Sequence, residues 1–216
     1  IPPAKQQAGR DESERMTENE ESAGWASYYS KLRDRPPRRT LLMALDRFDP
    51  PPAAALALDL GCGDGRDAVE MLRRGWQVIA VDAEPEALRL LQARPLPPAS
   101  VLTPIVSRLE DVPVPVGVHL VNSSFAMPLC DPSAFHALWQ RIRDGLPGGG
   151  RFSGQWYGPR DSWAGRPGIT FLERGQALVL LDGLELEMFE EEESDGVTPR
   201  GKAKHWHIYH IVARKP

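Results

Sequence analysis

From Ala54 to Leu60 the chain is apolar except for Asp59. It then breaks into Gly61-Cys62-Gly63-Asp64-Gly65, and helical periodicity follows at Ala68, Val69, Met71 and Leu72. An apolar run of this kind is what a parallel strand buried on both faces requires. The helix ends at Gly75, Trp76 to Val81 makes a second short strand closed by Asp82, and Pro85 sits in the first turn of another helix through Ala87, Leu88, Leu90 and Leu91. Strand–helix–strand–helix with short connections specifies a parallel sheet with right-handed crossovers. This one region restricts the chain to the α/β class.

The flanking segments extend the pattern. Pro36-Pro37 opens a helix through Leu41, Leu42, Leu45 and Phe48, preceded by a short aromatic helix over residues 24–32. Ser100 to Val106 reads as a third strand in spite of Pro104, and Val116 to Phe125 as a fourth. Pro132 starts a helix through Phe135, Leu138, Trp139 and Ile142 that stops at Pro147-Gly148-Gly149-Gly150. Arg151 to Tyr157 is a fifth strand, Gly158 to Gly168 is a loop long enough to touch a ligand, and residues 171–182 favour a helix. Leu184 to Glu191 and His205 to Ala213 form a closing antiparallel hairpin. Residues 1–23 are polar and lack apolar periodicity; they are expected to be a flexible tail, with a single domain over 24–216.

Composition bounds the partners. The 216 residues carry a formal net charge of −4 and a sequence pI near 5.8, which gives no broad electrostatic reason to bind nucleic acid. No apolar run approaches a membrane span, and Cys62 and Cys130 are too far apart in context for a disulfide framework or a thiolate metal site. The expectation is a cytoplasmic protein without metal, acting on a small molecule or ion; composition says nothing of its oligomeric state.

The chemistry concentrates in Leu58-Asp59-Leu60-Gly61-Cys62-Gly63-Asp64-Gly65 and Asp82. Glycines after the first strand let the chain turn sharply and bring backbone close to a ligand at the carboxyl end of the sheet. An acid closing the second strand, roughly 20 residues beyond the first glycine, can accept both hydroxyls of a ribose. A dinucleotide site would place its last glycine three residues past Gly63, where this chain has Arg66. Asp64 and Asp67 also put negative charge where a pyrophosphate would sit, whereas a sulfonium ligand with an amino-acid end tolerates acids. The loop favours S-adenosylmethionine.

With these residues the chain resembles the class I S-adenosylmethionine-dependent methyltransferases, most closely small tellurite-resistance-like ones. The further cues are Gly61-Cys62-Gly63-Asp64-Gly65-Arg66-Asp67, the run Glu190-Glu191-Glu192-Glu193 and Gly201-Lys202-Ala203-Lys204-His205-Trp206-His207-Ile208. The resemblance implies a Rossmann-like, doubly wound seven-stranded sheet, mostly parallel with an antiparallel C-terminal strand. It implies Gly61, Cys62 and Gly63 against the methionine part of the cofactor, Asp82 on the ribose, Ala83 beside the adenine and Leu109 and Glu110 at its edge. It also implies Asn122 facing the amino end or the transferred methyl, and S-adenosylhomocysteine as product. Asp59, read as support for the turn, and Gly65 complete the candidate cofactor set. One departure is His119-Leu120-Val121, where many relatives have an acid before the fourth strand.

Other features have plainer readings beside functional ones. Glu110 and Asp111 also suit a solvated turn. His205 and His207 share a strand face, His210 opposes them, and hydrogen bonding or packing is favoured over metal binding. Trp25, Tyr28 and Tyr29 lie on one helical face as core residues, with a cation–π cover over the sulfonium as the alternative. Trp156, Tyr157 and Trp163, after the fifth strand, are placed to line the substrate side. No catalytic residue is assigned; His207, Tyr28 and Asn122 are candidates for test. The competing functions are an NAD-dependent oxidoreductase and a non-catalytic S-adenosylmethionine-binding regulator.

Overall fold

The computed structural model describes residues 35–48, 51–198 and 201–216. The expected aromatic helix with Trp25, Tyr28 and Tyr29 and the tail over 1–23 lie outside them. The elements are α1 (Arg39–Asp46), β1 (Leu56–Leu60), α2 (Arg66–Arg73), β2 (Gln77–Asp82), α3 (Pro85–Gln92) and β3 (Leu102–Val106). They continue with β4 (Leu120–Ser123), a 3-10 turn (Met127–Leu129), α4 (Pro132–Gly145), β5 (Arg151–Tyr157), α5 (Arg174–Leu180), β6 (Glu185–Val197) and β7 (Ala203–Arg214).

The strands form one seven-stranded sheet in the order β3-β2-β1-β4-β5-β7-β6. The first five are parallel, joined by helices except for the loop between β3 and β4; β7 runs antiparallel to both β5 and β6. Alternation along the strands feeds two cores. Ala57, Val78, Ala80, Leu120 and Val212 pack under α1, α2 and α3. Leu58, Leu60, Val121, Phe152, Trp156 and Ile211 pack under α4 and α5. The sheet is therefore doubly wound, and the switch in strand order between β1 and β4 opens a crevice at their carboxyl ends.

Pro104 pairs in register with Ala80 on β3, whose other side is the sheet edge, so its missing N–H breaks no ladder bond. The fourth strand is shorter than its sequence suggests. Gly117 turns the chain at φ +85 and leaves Val116 91% exposed, while Phe125, at φ +61, ends the extended backbone. The hairpin is longer than hydrophobic alternation indicates. Glu191, Glu192 and Glu193 meet cationic or histidine partners across β7 and from Arg160, so an acidic stretch is held as strand. Charge on this outer strand also guards the edge against pairing with another chain. Among the described residues no helix is long and apolar enough to cross a membrane.

Two glycines flanking α2 separate backbone strain from packing. A Cβ on Gly65, at φ +85, would lie 2.1 Å from Leu91 Cδ1, whereas one on Gly75, at φ +81, meets nothing within 4 Å. Gly75→Ala is expected to lose about 1–2 kcal/mol, the cost of a left-handed side-chain residue. Gly65→Ala adds about 1–3 kcal/mol of overpacking to that. Urea unfolding of both variants checks this, and equal losses would contradict the α2–α3 packing.

Candidate active site

β1, β4 and β5 lie side by side, and their register puts Asp59 next to Asn122 and Asn122 next to Ser153. The side chains join along this rung. The Ser153 hydroxyl donates to Asn122 Oδ1 at 2.8 Å, and Asn122 Nδ2 donates to Asp59 Oδ1 at 2.8 Å. All three residues are at most 1% exposed. Asp67, in the first turn of α2, extends the network: the Ser124 hydroxyl donates to it at 2.5 Å, the Arg38 backbone N–H at 3.1 Å and the Arg66 guanidinium at 3.1 Å.

Asp59 Oδ2, by contrast, is buried and has no hydrogen-bond partner among the described residues. Burial, and next the neighbouring Asp67 carboxylate, push the Asp59 carboxyl up to about 7. A buried acceptor left unmatched costs stability unless a donor arrives. Its position at the carboxyl end of β1 and its charge both suit a cationic donor such as an ammonium group.

The glycine turn lies directly beyond. Gly61 N and Cys62 N donate to Val81 O at 2.8 and 2.9 Å, tying the turn to β2. Gly61 is at φ +68, and a Cβ there would lie 2.2 Å from Ala126 Cβ. Only glycine therefore lets the segment after β4 close over the turn. Asp82 faces the same turn: Oδ2 accepts from Gly63 N at 2.8 Å and Oδ1 from Glu84 N at 3.0 Å. A carboxylate offers about four acceptor sites, so capacity remains for two further donors such as vicinal hydroxyls. Burial raises the Asp82 carboxyl, with the Glu84 and Gly63 N–H groups opposing it. Burial likewise pushes the Cys62 thiol well up, so it stays protonated beside the turn.

The remaining candidates fall in varied settings. Ala83 is exposed next to Asp82. Gly65 serves α2–α3 packing, as described above. Leu109 is half-buried, and Glu110 bonds away from the turn, accepting from Asp131 N at 2.6 Å while Arg141 grips its carbonyl at 2.8 Å. Asn122 is fully buried with its amide held inside the rung, so it is not presented directly to the crevice. Asp64 is ion-paired with Arg94 and Asp67 with Arg66, so their repulsion of a pyrophosphate is weaker than the sequence suggests. His119, in place of the family's acid, accepts the Leu56 N–H at 3.3 Å and braces the start of β1.

His207 is buried with both nitrogens engaged. The Arg160 backbone N–H donates to Nδ1 at 3.1 Å, while Nε2 lies 2.8 Å from Glu191 Oε1 and 3.1 Å from the Arg160 guanidinium. This removes it as a general base. His205 and His210 also lie against carboxylates, Asp195 and Glu192. Trp156 does not line the substrate side: it packs in the α4 core against Phe135, Trp139 and Phe152. Tyr157 and Trp163 do meet at the carboxyl end of the sheet, with Trp206 and Phe125. Sequence reading missed the buried Lys204–Asp161 ion pair beneath them, whose partners come from β7 and the loop after β5. Pairwise alternation gives no signal for it.

Residues 57–150 match the profile of a methyltransferase domain family. No protein with a curated description matches the chain. Among solved structures the fold is similar to TehB from Haemophilus influenzae, with TM-score 0.71, 13% identity and 83% of this chain covered. The match spans 62% of that protein's length. A TehB-like SAM-dependent methyltransferase from Corynebacterium glutamicum gives TM-score 0.62 at 20% identity, covering 92% of this chain and 100% of that one. The 1,6-didemethyltoxoflavin-N1-methyltransferase of Burkholderia thailandensis, solved with 1,6-didemethyltoxoflavin and S-adenosylhomocysteine, gives 0.61 at 16%, covering 100% of this chain and 91% of that one. Likeness at these identities establishes the fold, and the profile match covers the crevice strands with the glycine turn and Asp82. Residues 57–150 thus resemble a methyltransferase domain, and the described residues share their fold with solved SAM-dependent methyltransferases.

Proposed function

We propose that the chain is a cytoplasmic enzyme that methylates a small molecule or ion from S-adenosylmethionine. The observation that carries this reading is the unpartnered Asp59 Oδ2 at the carboxyl end of β1, with Asp82 across the glycine turn. Asp59 would take the ammonium of the cofactor's amino-acid end, Asp82 the ribose hydroxyls, and Gly61, Cys62 and Gly63 would give the methionine part a wall without obstructing side chains. Asn122 and Ser153 fix the Asp59 rotamer. Ala83 would flank the adenine, with Leu109 and Glu110 near its edge.

When bound, S-adenosylmethionine supplies a methyl group on a sulfonium, already activated for in-line displacement by the acceptor. The protein's part is then alignment and exclusion of water, which in the best intramolecular cases is worth about 7–11 kcal/mol of barrier. His207 is engaged on both sides and Asn122 is enclosed, so neither serves as a base. The net charge of −4 favours a small acceptor over a nucleic acid, and the 1,6-didemethyltoxoflavin bound by the Burkholderia protein is a precedent for one. Cys62 and Cys130, both buried free thiols, suit a reducing compartment.

Asp82→Ala is expected to weaken S-adenosylmethionine binding about tenfold to hundredfold, the worth of roughly 1.5–3 kcal/mol for hydrogen bonds to a charged group. Calorimetry measures it, and an unchanged affinity removes Asp82 from the site.

Asp59 makes a prediction about pH. Its folded pKa lies above the unfolded value near 3.9, so its favourable contribution is present below about pH 4 and is lost as pH rises through about 7. Asp59→Asn should therefore stabilise the cofactor-free protein at pH 7.5 by on the order of 2–4 kcal/mol and leave it unchanged at pH 4. Chemical denaturation at the two pH values decides; an equal effect at both would show that the carboxyl is not strained by its burial.

A further inference from the structure

We propose that the acceptor site is an aromatic wall built by Phe125, Tyr157, Trp163, Phe171 and Trp206, and that it takes a neutral, flat aromatic or heteroaromatic molecule. This deepens the methyltransferase reading and rests on it. The wall adjoins the glycine turn: Ala126 sits against Gly61, and the preceding residue is Phe125. Phe125 is bulky yet holds φ +61, a conformation that costs energy and persists where the surroundings enforce it. Its ring centre lies 6.2 Å from Tyr157 and 6.1 Å from Trp206. Trp163 is 5.9 Å from Trp206, and Phe171 stacks on Tyr157 at 6.0 Å. Four of the five rings are half-buried, and only Tyr157 is enclosed. A cluster serving only as core would bury its rings as β5 buries Phe152 and Trp156.

The charges around the wall select among acceptors. Rings arranged this closely suit a cation, but here the protein supplies its own. Lys204 Nζ lies 3.9 Å from the Trp163 centroid, 4.3 Å from Trp206 and 5.4 Å from Tyr157, and it is paired with buried Asp161. A quaternary ammonium acceptor would meet a position already filled. Lys204 is neutralised by Asp161 and Arg160 by Glu191 and Glu193, so neither offers an oxyanion a free charge, and Arg166 lies 5.1 Å over the Trp163 ring. Arg38 lies 4.5 Å over the Phe125 ring. What the wall offers is ring edges and outer faces, which favour offset or edge-on contact with another flat ring.

Calorimetry on the full chain saturated with S-adenosylhomocysteine tests this with 2-naphthol, its saturated analogue decahydro-2-naphthol, selenite and choline. The expected result is saturable binding of 2-naphthol at least tenfold tighter than the saturated analogue, with none of selenite or choline at the same concentrations. Trp206→Leu and Phe171→Leu, at different places on the wall, should each weaken 2-naphthol at least fivefold without altering S-adenosylhomocysteine affinity. No binding of 2-naphthol, no preference for the flat ring, saturable binding of either ion, or indifference to both substitutions would overturn the aromatic site and leave the cofactor reading standing. Failure of S-adenosylhomocysteine itself to bind would overturn both.

Discussion

A carboxylate buried in the middle of a sheet dictates much of how this molecule is built. Asp59 is 1% exposed, next to three strands of apolar core, with one oxygen held by Asn122 and the other unmatched. A buried charge is tolerable when it is hydrogen-bonded or meets an opposite charge. The rung Asp59–Asn122–Ser153 supplies the first condition across three parallel strands, and it can form only if β1, β4 and β5 keep one register. The second condition would be met by a cationic ligand, the role proposed above for the cofactor's ammonium group.

The neighbouring acids show why number alone is a poor guide to site electrostatics. Asp64 and Asp67 stand beside the same helix start as Asp59 but have arginine partners. Asp82 accepts two backbone N–H groups, holding the glycine turn against the end of β2 while keeping acceptor capacity. Four carboxylates near one loop thus divide into two paired, structural groups and two that no arginine among the described residues meets within hydrogen-bond reach. Those two sit on either side of Gly61–Gly63.

The parts of this arrangement that were legible in sequence are the local ones. The apolar run before Gly61, the helix after Gly65 and the acid after Val81 each follow from short-range periodicity and turn chemistry, and the structure puts the elements where they were expected. What escaped depends on contacts between distant segments. The resemblance implies an Asn122 that faces the ligand, yet cross-strand bonds to Asp59 and Ser153 enclose its amide. Trp156 and Tyr157 are adjacent in sequence, but strand alternation sends one into the α4 core and the other to the crevice. The length of β6 was hidden by its glutamates, which become good strand residues only when histidines and Arg160 lie opposite. The Lys204–Asp161 pair joins a strand to a loop with no motif to announce it.

What occupies the crevice at Asp59 decides whether the buried carboxylate serves a ligand. A crystal structure of the full chain with S-adenosylhomocysteine would settle it. The expected density has the ligand's amino group within hydrogen-bond distance of Asp59 Oδ2 and both ribose hydroxyls on Asp82. A ligand bound elsewhere, or one in the crevice that leaves Asp59 Oδ2 unpartnered, would contradict the central claim.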